Sequence, residues 1–332
     1  METLINTDRF SGAMRRKVRH SDGHLLISRF SDSAQLADLS EPPNCESLGR
    51  IRHFRRQTSD GWPDNSLPID PAVKALRSPH VDVLETQLFQ NAACNWRCWY
   101  CYVPFDHLSG DERLGQWKTA DELVALYSSL SSRPSVLVLS GGQPDLVPEW
   151  TYETMQALRE RSLDETVYLW TDDNLSNDYL WRFLSPEQIA SMAAYKNYGR
   201  VGCFKGFDAK SFSFNTGAAP AMFERQFTTF ERLLATGMDV YAYATFTSDC
   251  TDGVDEKICG FVDRLQAISR MLPLRLIPLE IQPFTPTLDR LDERTAAMAD
   301  EIQQLAVRAW NCEIERRFTE NERLMSICDV AL

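Results

Sequence analysis

No stretch of this chain approaches the roughly 20 consecutive apolar residues that cross a bilayer. Its first residues, METLINTDRF, also lack the basic and then hydrophobic order of a secretory leader. A cytoplasmic protein without a membrane partner is expected. Paired cysteines are scarce as well. The chain has nine cysteines, an odd number, and six of them (Cys45, Cys203, Cys250, Cys259, Cys312 and Cys328) lie far apart, which argues for reduced thiols and against a disulfide framework. Positive charge is lacking overall, with a net charge of -12. Residues 1–60 hold ten Arg and Lys against eight acids, so the acidic excess lies beyond them. The only dense basic run, MRRKVRH at Met14–His20, reads as a solvated face. Nucleic acid is therefore not an obvious partner. Short-period repeats and low-complexity tracts are absent, which excludes a solenoid. His20, His24, His53 and His80 show no metal-ligand spacing.

What is present is a regular alternation. A length of 332 residues with 43% apolar composition suffices for one large domain, or one with a small annex. Residues 1–80 read as an irregular N-terminal extension, with connectors such as SEPPN and GWPDNSLPIDP and a single strand at Gly23–Phe30. Strands follow at Val83–Gln90, Ser135–Ser140, Val167–Thr171, Val201–Lys205, Val240–Phe246 and Leu274–Gln282. Helical patterns separate them. Thr119-Ala-Asp-Glu122 is a capping box, and helices are expected over Glu149–Arg161, Asp178–Tyr195, the stretch carrying Phe223, Phe227 and Phe230, and Asp255–Met271. A last helix covers Asp292–Trp310, within a C-terminal helical segment at 291–332. Six strand–helix units with apolar strands imply an α/β fold, a parallel sheet covered by helices, either open and doubly wound or a barrel.

The chemistry is concentrated at Ala93–Pro104, ACNWRCWYCYVP, where Cys94, Cys98 and Cys101 fall within eight residues. Soft thiolates select zinc, copper(I) or iron–sulfur clusters. A structural zinc site wants a fourth ligand, for which His107 is the nearest candidate. A four-iron cluster held by three cysteines leaves one iron free for a ligand, which explains three thiols instead of four.

The Cys-x3-Cys-x2-Cys spacing, with Tyr100 before the third cysteine, resembles the signature of the radical S-adenosylmethionine (radical SAM) superfamily. Ser140-Gly-Gly-Gln-Pro144 is similar to that family's Gly-Gly-Glu-Pro motif and follows Cys101 by one helix and one strand. The resemblance implies a partial (β/α)6 TIM-type barrel at 81–290 with a [4Fe-4S] cluster on Cys94, Cys98 and Cys101. It also implies S-adenosylmethionine as cofactor and reductive cleavage to a 5′-deoxyadenosyl radical that takes hydrogen from a substrate. Cofactor contacts implied in the same way are Tyr100, Ser140, Gly141, Gly142, Gln143, Pro144, Thr171, Asp173 and Lys205. Gln143 stands where the family has Glu, which keeps an acceptor and removes a charge. Thr171-Asp-Asp-Asn174 occupies the place of a Thr-Asn-Gly motif. GCFKGFD at Gly202–Asp208 is similar to a strand of glycyl-radical-enzyme activases, with Lys205 matching their cofactor-contacting lysine and Cys203 standing where they have Asp.

Tyr243, Glu280 and Gln282 near the last strand ends are candidate catalytic groups. The expected substrate is a small metabolite or natural-product precursor. A peptide or partner protein, and a non-enzymatic iron–sulfur or zinc protein, are the alternatives. The resemblance implies a low-potential electron donor of flavodoxin or ferredoxin type. Cys250, Cys259, Cys312 and Cys328 contain no Cys-x-x-Cys, so an auxiliary cluster is not expected from them.

Overall fold

A computed structural model describes residues 4–332. The chain enters through helix α1 (Thr7–Val18) and strand β1 (Leu25–Ser28), then β2 (Gly49–Arg55), α2 (Ile69–Leu76) and β3 (Val83–Gln90). A short β4 (Gly115–Lys118) pairs antiparallel with β1. The regular alternation follows: α3 (Ala120–Ser128), β5 (Val136–Ser140), α4 (Glu149–Glu160), β6 (Tyr168–Asp173), α5 (Tyr179–Phe183), α6 (Pro186–Ala193) and β7 (Tyr198–Phe204). Then come α7 (Ala209–Thr216), α8 (Met222–Leu234), β8 (Val240–Thr245), α9 (Val254–Ile268), β9 (Leu276–Leu279), α10 (Glu293–Arg317) and α11 (Glu320–Arg323).

The main sheet has the order β2-β3-β5-β6-β7-β8-β9, with β2 antiparallel to β3 and every later pairing parallel. The six parallel strands thus lie side by side in chain order. A doubly wound sheet reverses its order at a switch point. This one does not reverse; it curls into a half-barrel, and the expected partial (β/α)6 barrel is what forms.

Strand alternation splits the core in two. Leu88, Val136, Val138, Tyr168, Trp170, Val201, Tyr241 and Ile277 fill the inside of the half-barrel. Leu137, Leu139, Leu169 and Phe204 face outward against Leu123, Leu158, Phe230 and Phe261 of the helices. The continuous apolar strand sequences are the result of both faces being covered.

Two helical expectations change in detail. The stretch Asp178–Tyr195 is two helices, because Ser185 caps a new one: its hydroxyl accepts from the Gln188 amide and Pro186 takes the first turn. The last helix runs on to Arg317.

The N-terminal extension is more ordered than its sequence suggests, and physical reasons account for this. The buried stripe of α1 is Thr7, Ser11, Met14 and Val18, helical in spacing but half hydroxyl, so hydrophobic periodicity does not reveal it. In β2 the inward face carries Arg50 and Arg52 besides Phe54, and the usual apolar alternation is lost. Beyond β2 the chain crosses to the far side of the barrel, where the Trp62 indole donates to the Pro278 carbonyl of β9 at 3.0 Å. The Tyr243 hydroxyl of β8 lies between Asn65 Oδ1 at 2.9 Å and the Leu67 carbonyl at 3.0 Å. Leu67 and Ile69, both fully buried, join the inner core from below, as does Ile327 near the C-terminus.

Trp62→Ala removes that buried anchor and is expected to cost about 3 kcal/mol, read in urea unfolding. An unchanged midpoint would show that the crossing segment does not pack against β9.

Candidate active site

The cysteine loop leaves the C-terminal end of β3, where barrel folds collect their reactive groups. Its backbone is tied at most positions. Cys94 N donates to Leu108 O at 3.1 Å, Arg97 N to Thr216 O at 3.0 Å and Trp99 N to Asn215 O at 3.3 Å. Two guanidinium groups collect the carbonyls. Arg97 donates to Cys94 O, Trp96 O and Leu108 O. Arg290, from the segment before α10, donates to the carbonyls of Cys98, Trp99, Cys101 and Val103, at 2.6 Å for Cys101, while its plane lies 3.9 Å from the Phe105 ring centre. Helix α1 supports the loop from behind. Asn95 donates to Ser11 at 2.8 Å and the Trp96 indole to Thr7 at 3.0 Å.

The three thiols are free of disulfides, with Cys94 and Cys98 buried and Cys101 partly exposed. Among the described residues, the only group of three or more metal-ligand side chains whose donor atoms all lie within 4.8 Å of one another is Glu41, His53 and Glu85. The three sulfurs are therefore spread wider than tetrahedral zinc requires, since Zn–S bonds of about 2.3 Å place sulfurs about 3.8 Å apart. His107 does not complete a compact set either; its Nδ1 faces Asp106 at 2.9 Å. A larger inorganic core suits the spacing. Burial raises Cys94 and pushes Cys98 up to about 12, so these thiolates need a cation to persist. The loop fits an iron–sulfur cluster better than a single zinc ion.

The glycine motif abuts this loop. Gly141 and Gly142 have φ of +59° and +55°. A Cβ on Gly142 would sit 2.1 Å from the Ala93 carbonyl oxygen and one on Gly141 2.1 Å from Gln90 Cγ. Glycine is required because the turn presses on the base of the cysteine loop. Gln143 is 1% exposed and fully engaged: it donates to Asp173 Oδ1 at 2.7 Å and accepts from the Asn174 amide at 2.9 Å. A Glu there would set a second carboxylate against Asp173. Pro144 begins the buried turn that follows.

Strand register sorts the remaining expected contacts. Thr171 and Asp173 share the outer face of β6 with Leu169, so they do not enter the barrel. Thr171 pairs with the Tyr198 hydroxyl at 2.9 Å. Asp173 and Asp145 both accept from the buried Arg200, at 3.0 and 2.6 Å. Desolvation raises Asp145 to about 7 although Arg200 opposes it. The β6 residue that does reach the inside is Asp172, on the face of Tyr168 and Trp170, where it accepts from the Ser140 hydroxyl. Counting alternate residues from Trp170 would have found it; the motif match drew attention to its neighbours.

Around the same mouth stand Tyr100, Cys203 and Lys205. Tyr100 donates to Thr245 at 3.1 Å, and the Lys205 ammonium lies 5.9 Å from the Tyr100 ring centre. Burial disfavours the charge of Lys205, but Tyr100 and the thiols of Cys203, Cys98 and Cys101 outweigh it and hold the proton above the ordinary lysine range. Tyr243 points lower, and its hydroxyl is occupied by the N-terminal segment. Glu280 and Gln282 lie just past β9 and bond to each other at 3.2 Å. Cys250 follows β8 at the mouth end, Cys259 and Cys312 sit on outer helices, and Cys328 lies near Tyr241 at the opposite end, so they share no site.

Residues 91–249, from the base of the cysteine loop past β8, match the Radical SAM superfamily. This segment is a radical SAM domain. No curated protein matches the chain. Among solved structures, Streptococcus suis SuiB bound to its precursor peptide SuiA is 16% identical over 55% of this chain and 36% of that one, with a TM-score of 0.39. SuiB bound to S-adenosylmethionine is 18% identical over 55% of this chain and 37% of that one, at 0.39. Native anSMEcpe with bound AdoMet is 13% identical over 59% of this chain and 51% of that one, at 0.40. The chain therefore spans about half or less of each of these proteins. The match begins after α1, β1, β2 and β3 and ends before β9, so part of the barrel wall lies outside the matched segment.

Gln143→Glu places two carboxylates in contact, which raises their folded pKa. The loss of melting temperature is expected to be large at pH 8 and smaller at pH 5, where one carboxyl keeps its proton. Equal losses at both pH values would show that Gln143 does not face Asp173. Arg290→Ala should leave the barrel folded but lower the iron retained after anaerobic reconstitution. Full iron content would remove Arg290 from the support of the loop.

Proposed function

We propose that the chain is a radical SAM enzyme whose [4Fe-4S] cluster is held by Cys94, Cys98 and Cys101. The observation that supports this most is a pre-formed loop of three thiols, spaced too widely for one zinc ion, at the strand end where the glycine turn and Lys205 converge. Three protein ligands leave room for a fourth from outside the chain. When bound, the cluster and S-adenosylmethionine supply the superfamily's chemistry, one-electron cleavage to a 5′-deoxyadenosyl radical that takes hydrogen from a substrate.

The chain's own residues have the remaining work. Lys205 carries a partly buried positive charge without a hydrogen bond or ion pair among the described residues, suited to the carboxylate of S-adenosylmethionine. Tyr100, T-shaped against Trp99 with ring centres 5.4 Å apart, offers an aromatic face beside the cysteines for the adenine. Ser140 and Asp172 form a polar pair on the inner wall, available to hydroxyl or amino groups. The inner apolar core below them, closed by Leu67 and Ile69, keeps water from the floor of the site, which protects a reactive radical.

A substrate small enough to enter the half-barrel is the preferred reading, supported by the N-terminal segment that crosses from β2 and bonds Pro278 near the C-terminal end of β9. A flavodoxin- or ferredoxin-type protein as electron donor belongs to the same reading, with the partly exposed Cys101 as the nearest ligand to solvent.

Anaerobically reconstituted protein with dithionite and S-adenosylmethionine should form 5′-deoxyadenosine, and Cys94→Ala, Cys98→Ala and Cys101→Ala should each abolish it while retaining the secondary structure. Product formation that survives any of the three substitutions would contradict the ligand assignment.

A further inference from the structure

The inner face of β2 carries two arginines where a barrel wall normally carries apolar residues. Arg50 lies opposite Leu88 and Arg52 opposite Thr86, so both side chains enter the half-barrel on the face that buries Leu88. Among the described residues neither guanidinium makes a hydrogen bond or an ion pair, and the Nε of Arg50 is buried without a partner. The other arginines near the sheet behave differently. Arg56 pairs with Asp70, Arg200 with Asp145 and Asp173, and Arg275 with Asp239. Both side chains are partly buried, and Arg50 Nε is the one guanidinium nitrogen of the pair cut off from solvent, so their outer nitrogens stay open to a ligand.

Their surroundings place them at the reactive end. Arg50 lies 5.0 Å from the ring centre of Tyr102, the residue after Cys101, and 5.8 Å from Phe30. Arg52 lies 4.0 Å from the Phe54 ring centre and is close enough for its charge to act on Tyr243 and Cys203, across the barrel on β8 and β7. With burial the main cause and Arg52 a second, Arg50 falls to about 10, and no carboxylate contributes to holding its proton. Asp172, an acid on the inner wall of the mouth, is bonded by Ser140. Arg50, Arg52 and Lys205 thus bring three positive charges to a mouth where Asp172 supplies a carboxylate on the inner wall.

We propose that the substrate carries an anionic group, a carboxylate or a phosphate, that docks between Arg50 and Arg52. The assignment rests on the radical SAM reading above for the chemistry done at the mouth. The anion-binding site itself does not depend on that reading. Lys205, beside Tyr100 and the cysteines, is left to the carboxylate of S-adenosylmethionine, while the arginines sit on a strand that precedes the radical SAM domain. Paired guanidinium forks match planar and tetrahedral oxyanions alike.

The test uses anaerobically reconstituted protein saturated with S-adenosylmethionine and titrated with inorganic phosphate or acetate at constant ionic strength, read by calorimetry and melting temperature. Wild type should bind at least one of the two anions, and the double variant R50Q/R52Q should bind it at least tenfold more weakly with its S-adenosylmethionine affinity unchanged within twofold. R50K/R52K should keep part of the anion affinity. R50M should melt higher than wild type, because a partly buried charge without a counter-charge is removed; a merely structural Arg50 would make it melt lower. Wild type that binds neither anion, or R50Q/R52Q that binds as wild type does, overturns the proposal. A tenfold loss of S-adenosylmethionine affinity in R50Q/R52Q also overturns it, by giving the arginines to the cofactor's carboxylate. Anion binding that persists in a protein making no 5′-deoxyadenosine leaves this site standing and sinks the radical reading alone.

Discussion

The course of the backbone from Ala93 to Val103 is the constraint on which the mouth of the barrel depends. Three cysteine sulfurs can face one inorganic core only if the peptide groups between them turn outward, and a peptide turned outward in a buried loop needs partners. Arg97 and Arg290 provide them by gathering the carbonyls of Cys94, Trp96, Cys98, Trp99, Cys101 and Val103. The glycine turn after β5 fits only because Gly142 lets Ala93 approach, and Gln143 then joins the ends of β5 and β6. The loop is thus held from both sides by parts of the chain far apart in sequence.

The extension before the barrel takes part in the site. Helix α1 supports the loop through Ser11 and Thr7, β2 widens the sheet by one antiparallel strand, and the segment through Trp62 closes the lower side. It also supplies Arg50 and Arg52, the groups that distinguish this mouth from a generic one. A half-barrel has two free edges. Here β2 extends the sheet at one edge and the Trp62 indole bonds the strand at the other, so the extension is built into the barrel at both sides.

The six strand–helix units were legible because parallel strands buried on both faces read as unbroken apolar runs, and the cysteine loop because three thiols at short spacing have few other uses. The N-terminal elements were not legible, since α1 buries hydroxyls and β2 points arginines inward, which conceals the periods by which helices and strands are recognised. The site was partly legible for a similar reason. Motif matching reached Ser140 and Lys205, which do stand at the mouth, but a motif carries no register: Thr171 and Asp173 face the helices, and Asp172 between them faces the inside of the half-barrel. Arg290 could not have been found from spacing, because it comes from beyond the last strand and its role exists only in three dimensions.

The most direct test of the account is electron paramagnetic resonance of the anaerobically reconstituted, dithionite-reduced protein with and without S-adenosylmethionine. Three thiolates and one open position predict a [4Fe-4S]+ signal whose g values change when S-adenosylmethionine is added. A protein that takes up one zinc ion instead of iron, or an iron–sulfur signal indifferent to S-adenosylmethionine, would contradict it.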